Sequence, residues 1–191
     1  MKMLVQLPES SHAEGWVVRS RGGFTLVELM VVIAIIALLA ALVFPMIQRA
    51  QKAADLRKAQ IEVEALASAL RAYLQEYSRW PVDNAAEGDV NITIVKILTA
   101  HPDARTQNPR GRIFLRLNTV ATNASGAVID PWGNPYRFAL DSDMSGGIGN
   151  AHDPDGVYKA LPGKIVAVWS RGPNGKSDPP DSPDYDDITS W

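Results

Sequence analysis

Five aspartates fall between Asp178 and Asp187, in a stretch, DPPDSPDYDD, that also holds three prolines and only Tyr185 as an apolar anchor. Such a loop has little apolar surface with which to hold itself together by burial. Hard oxygen ligands clustered in a loop are what calcium takes. A solvated acidic segment is the other reading of the same residues. A second acidic stretch, Asp141-Ser142-Asp143-Met144-Ser145-Gly146, matches the first half of an EF-hand-type loop, D-x-D-x-S-G, with Ile148 at the usual apolar position. Position twelve is His152 where a glutamate is expected, with Asp153 and Asp155 close behind. Asp141, Asp143 and Ser145 are therefore the weaker calcium candidates, against a plain Asp- and Gly-rich loop between strands.

A third chemical oddity is Glu28, a lone carboxylate at the front of the apolar run in RGGFTLVELMVVIAIIALLAALVFPMI, Arg21 to Ile47. A carboxylate in hydrocarbon costs several kcal/mol and calls for a partner. A position at the membrane interface, with the side chain snorkelling, is the simpler alternative. Catalytic patterns are missing. The three histidines, His12, His101 and His152, are scattered, and neither G-x-S-x-G, HExxH nor a glycine-rich phosphate loop occurs. No enzyme activity is expected. The chain has no cysteine, so disulfides and thiolate metal sites are excluded. Its net charge of −2 points to no nucleic-acid partner.

The elements that carry these groups follow from periodicity. Leu29 to Ile47 is free of charge and at helical rise spans roughly 28 Å, enough for the hydrocarbon core. The flanking charges, with Lys2, Arg19 and Arg21 before and Arg49, Lys52, Arg57 and Lys58 after, do not settle its orientation. The pattern then changes. Leu56, Ala59, Val63, Leu66, Leu70, Tyr73, Tyr77 and Trp80 recur at steps of three and four, one stripe of an amphipathic helix. A coiled-coil seam is the alternative reading of that stripe. Trp80-Pro81 ends it, because a residue before proline is pushed out of the α region. One nearly continuous helix is predicted from about Phe24 to Arg79, roughly 80 Å long, with a kink or local melt at Pro45. Beyond it a short helix is predicted at Ile92–Leu98, an edge strand at Arg112–Leu117, and better strands at Tyr136–Leu140 and Lys164–Trp169. The fold class is α+β, a long N-terminal helix, half transmembrane and half amphipathic, packed on a small antiparallel sheet.

Gly22-Gly23 before Phe24-Thr25-Leu26-Val27-Glu28, with the apolar run after the small residues instead of before them, resembles the class III signal of type IV pilins and type II secretion pseudopilins. The resemblance implies a leader at 1–23 cut after Gly23 by a prepilin peptidase on the cytoplasmic face, then N-methylation of Phe24. It implies a transmembrane and polymerisation helix at 24–47, its amphipathic continuation at 48–81 and a pilin-like head at 82–191. It places the chain as a single-pass protein of the bacterial inner membrane, with its head in the periplasm. Phe24, Glu28 and Pro45 become assembly residues: Glu28 would pair with the Phe24 amine of a neighbouring subunit, and the helix would extend near Pro45 in the filament. DPWGNPY (Asp130 to Tyr136) and SRGPNGK (Ser170 to Lys176) further resemble the major pseudopilin, whose C-terminal loop binds calcium. By position the ligands would be Asn174, where the family usually has an aspartate, Asp186 and Asp187, with the carbonyls near Arg171 and Lys176. The loop is longer than the family's usual form, so Asp178, Asp181 or Asp184 are substitutes. The implied function is a structural subunit of a type II secretion pseudopilus, a homo-oligomeric filament whose partners are minor pseudopilins and an inner-membrane assembly platform. The alternative is a type IV pilus subunit for adhesion, motility or DNA uptake.

Overall fold

The computed structural model describes residues 23–82, 87–116, 121–149 and 160–191. The leader expectation, apart from Gly23, and the His152, Asp153 and Asp155 positions lie outside them. The chain divides between Met46 and Ile47 into two units.

Helix α1 runs Leu26–Tyr77, 52 residues, and continues through Pro45. Its start is capped by Thr25, whose Oγ1 accepts from Glu28 N at 3.1 Å while its carbonyl accepts from Leu29 N. In the N-terminal unit every described residue is exposed. The segment is long and apolar enough to cross a membrane.

In the second unit the stripe read from the sequence is buried against the chain's own sheet. Ala59, Val63, Leu66, Leu70 and Tyr73 are each no more than 1 % exposed, whereas Leu56 at the head of the stripe is 43 % exposed. The helix ends at Tyr77. Ser78 turns to φ 52°, the left-handed geometry that terminates helices, and its N–H returns to Leu74 O. Trp80 then folds in, its Nε1 donating to Asp141 O at 2.9 Å.

The head carries β1 (Glu87–Asp89), α2 (Ile92–Leu98), a 3-10 turn at Pro102–Ala104, β2 (Arg137–Leu140), β3 (Gly147–Ile148), β4 (Leu161–Pro162), β5 (Val166–Ser170) and β6 (Ile188–Thr189). β1-β2-β5-β6 form one antiparallel sheet, with Phe138 opposite Val168 and Ser170 opposite Ile188. Side chains alternate between its faces. Phe138, Leu140, Val166 and Val168 join α1 and α2 in the main core. Ala139, Ala167 and Trp169 form a second cluster with Ile148 of the β3–β4 hairpin, closed by Leu161 and Trp191. Helix α2 has the bounds the sequence predicts. Asn91 caps it through Oδ1 to Ile94 N, and Ile94, Val95, Ile97 and Leu98 are buried.

The predicted edge strand at Arg112–Leu117 does not form: residues 111–116 have no regular structure, and Leu117 is not described. Phe114 N and Leu115 N both donate to Leu98 O, so the segment covers the end of α2 instead of entering a ladder. The Asn108 side chain fixes this wrap, donating to Ile97 O and Arg112 O and accepting from Arg112 N.

Candidate functional site

The acidic loop between β5 and β6 is organised around Asn174. Its main-chain N donates to Asp186 Oδ2 at 3.1 Å. Its side-chain amide donates to Asp178 Oδ2 at 2.5 Å and to Asp184 O, while its Oδ1 accepts from Lys176 N at 2.7 Å. Asp178 N donates in turn to Asp187 Oδ2 at 2.8 Å. Of the ligands read from the sequence, Asn174, Asp186 and Asp187 are thus brought into one hydrogen-bonded cluster, and Asp178 joins them. Arg171 and Lys176 flank the Gly172–Gly175 turn. Asp181 is exposed and makes no hydrogen bond among the described residues.

The fit of this loop to calcium can be read from its atoms. Asp187 is 7 % exposed, and Asp186 Oδ1 is buried with no hydrogen-bond partner among the described residues. Burial pushes the Asp186 carboxyl above its ordinary range, with the charges of Asp178 and Asp184 adding to the shift and the Asn174 N–H opposing it. Desolvated, mutually repelling oxygens with no imidazole or thiolate among them suit a hard cation and not a transition metal. Among the described residues, no three carboxylates or imidazoles already gather as a metal centre. Here Asn174 and Asp178 N–H groups engage the oxygens instead.

The two motifs that look separate in sequence form one structure. Asp130 is 4 % exposed; its Oδ1 accepts from Trp132 N and Asn134 N, and its Oδ2 accepts the Ser170 hydroxyl at 2.6 Å. Asn134 Nδ2 donates to Gly172 O at 2.8 Å. The DPWGNPY turn therefore clamps the base of the acidic loop. Gly172 has φ 61°, and any Cβ there would collide with Asp186. Residue spacing in sequence carries no sign of this clamp, because its partners lie 38 and 40 positions apart.

The second acidic loop is satisfied from within. Asp141 is 4 % exposed, and its two oxygens accept from Ser145 N and Gly146 N. Asp143 Oδ1 also accepts from Ser145 N, and bonding to Ser145 holds the Asp143 carboxyl below its usual range. Asp141, Asp143 and Ser145 do come together, as a self-capped turn.

At the N-terminal unit Gly23 and Phe24 are exposed, Phe24 by 79 %. Glu28 sits in the first turn of α1, where the partial positive charge of the helix end favours a carboxylate. Thr25-Leu26-Val27-Glu28 has the spacing of a capping box, and the half of it in which Thr25 Oγ1 accepts from Glu28 N is formed.

Comparison with known proteins decides the family. A family described as the prokaryotic N-terminal methylation motif matches residues 18–44. The type II secretion system core protein G of Dickeya chrysanthemi is 32 % identical over 173 residues, 91 % of this chain and 88 % of that one. This chain belongs to the type II secretion system core protein G family. The Escherichia coli (strain K12) core protein G is likewise 32 % identical, over 88 % of this chain and 90 % of its own. A fimbrial protein of Neisseria meningitidis is 38 % identical over only 74 residues, 39 % of this chain and 44 % of that one. No solved structure matches.

Proposed function

We propose that this chain is a structural subunit of a type II secretion pseudopilus, built into a filament by packing of its apolar helix and serving protein export without catalysis of its own. The observation that carries the reading is kinship with a core protein G over 91 % of a chain whose Leu26–Met46 segment leaves all its apolar side chains exposed. That surface needs lipid before assembly and other helices after it. Cleavage between Gly23 and Phe24 by a prepilin peptidase, followed by N-methylation of Phe24, leaves an amine roughly one helical turn from Glu28. Glu28 of one subunit then pairs with the Phe24 amine of the next, a contact costly to leave unmade. Pro45 lies where the helix lacks one backbone bond and so can extend. The subunit is anchored once in the inner membrane, with its head in the periplasm, and meets minor pseudopilins and an assembly platform there.

The acidic loop, in this reading, would hold calcium through Asn174, Asp186 and Asp187 with carbonyls near Arg171 and Lys176. The ion would supply positive charge to oxygens that otherwise repel one another. Asn134 and Asp130 hold the base of the loop in register for it.

Intact-mass measurement of the full chain, purified from cells with and without prepilin peptidase, tests the assembly reading. The expected product is Phe24–Trp191 plus one methyl group, found only with the peptidase, together with filaments that vanish in Glu28→Val. Retention of residues 1–23 in assembled filaments overturns it. The pilus alternative is favoured by one observation, the partial match to a fimbrial protein. Surface fibres in cells lacking the rest of a type II secretion machinery would favour it.

A further inference from the structure

The corner where α2 meets the 3-10 turn carries a polar cleft lined by His101, Arg105, Asn108, Arg110 and Gly111. Its donors are unequally engaged. Asn108 is consumed by the wrap around α2, and Arg110 pairs with Glu76 at 2.6 Å. His101 Nδ1 lies 3.4 Å from Asp103. Arg105 is exposed and has no hydrogen bond or ion pair among the described residues. From Lys96 to Arg116 the sequence carries five cations, Lys96, Arg105, Arg110, Arg112 and Arg116, and one acid, Asp103. A guanidinium open at the rim of such a cleft is a fork for a carboxylate.

The same head carries the opposite charge elsewhere. From Arg171 to Asp187 there are five aspartates and two cations. Two of the aspartates, Asp181 and Asp184, are exposed, and their carboxylates make no hydrogen bond or ion pair among the described residues. They sit on a stiff turn: Ser182 N donates to Pro179 O at 2.8 Å, Tyr185 N donates to Ser182 O, and Pro183 separates them. Little ordering entropy remains to be lost when such a turn docks. Neither belongs to the Asp186–Asp187 pair assigned to calcium.

We propose that the Arg105 cleft receives the Asp181–Asp184 turn of a second copy of this chain. Among the described residues no hydrogen bond or ion pair joins the two surfaces within one copy, so each molecule keeps one open donor site and one open acceptor site. A patch that pairs with a different patch on the next copy propagates head to tail, which is the contact a filament needs beyond its helices. This docking rests on the assembly reading above and adds the head contact to it.

The absence of cysteine makes the test clean. Full-length Arg105→Cys and Asp181→Cys chains, differently tagged, are co-expressed with the wild-type secretion machinery and mildly oxidised. A dimer carrying both tags, formed only on co-expression, is the expected result. In a second arm, Arg105→Glu and the double variant Asp181→Lys with Asp184→Lys are each scored for assembled fraction. Each alone should lower it about two- to fivefold per lost ion pair, more at low salt, and mixing the two should restore it. All three positions are exposed, so the folded head is retained. If wild-type filaments form but neither mixed-tag dimer nor charge rescue appears, or if the cysteines cross-link to another protein, the docking is overturned. If the wild-type chain forms no filament, the assembly reading falls first and this contact with it.

Discussion

The two halves of α1 satisfy apolar side chains in opposite ways. From Leu26 to Met46 every large hydrophobic is exposed; from Ala59 to Tyr73 the inward stripe is sealed by β2, β5 and α2. The rear half repeats its apolar residues at three and four and keeps charge on the other face, so one sheet can cover it. The front half is apolar all round, a surface that no single partner within the chain can cover. A helix can therefore be half tertiary structure and half interface, with the change of period marking the border.

The contrast is broken most sharply by truncating one leucine in each half. Leu66→Ala, fully buried, should cost about 2–5 kcal/mol in chemical unfolding of the chain in detergent. Leu39→Ala, 57 % exposed, should leave the same transition within about 0.5 kcal/mol and show only in assembly. Equal costs would mean that the front half is also held within the chain.

Calcium should act on the head alone. At about one hundred times its dissociation constant, calcium should stabilise the head by about 2.7 kcal/mol over chelator, an effect lost in Asp186→Ala with Asp187→Ala. A rise that survives that pair and disappears in Asp141→Ala with Asp143→Ala would move the site to the second acidic loop. Asp130→Ala comes next, at about 1–3 kcal/mol, because it strands the Ser170 hydroxyl and two N–H groups around a buried position. It should also weaken the calcium response, since the clamp on Gly172 is lost.

The smallest effect is in pH. The Arg110 hydrogen bond, aided by Arg112, holds Glu76 below the usual carboxylate range. A depressed acid stabilises the fold fully above its unfolded pKa, and that stability is lost as pH falls through the folded value. Glu76→Gln should therefore flatten the acid limb of head stability slightly while leaving neutral pH nearly unchanged, as is usual for exposed pairs.

The parts legible in the sequence were those with their own period or cap. Helix α2 begins after the Asn91 cap and runs to Leu98 as read, and β2 and β5 follow from alternating apolar residues. Failures came where a distant partner decides. RIFLRL alternates like a strand, yet Leu98 O and Asn108 take its hydrogen bonds. β1, Glu-Gly-Asp, has no strand composition and exists because β2 offers it a ladder. At the site, the aspartates were visible by type, but the Asp130–Ser170 and Asn134–Gly172 clamp was not. Arg105 was invisible too, because an arginine becomes a candidate only when its neighbours are shown to be engaged elsewhere.

The lateral fastenings of the spine have a mechanical consequence. Glu62 accepts the buried Tyr136 phenol at 2.6 Å, Tyr73 donates to Gln107 O at 2.7 Å, and Trp80 donates to Asp141 O at 2.9 Å. The first two lie about three turns apart on the rear half of α1, and the third follows just past its end at Tyr77. A load applied along the helix axis is shared among these crosswise bonds in shear, so none can be peeled open before the others. The head is carried by its spine as a riveted plate is carried by a beam.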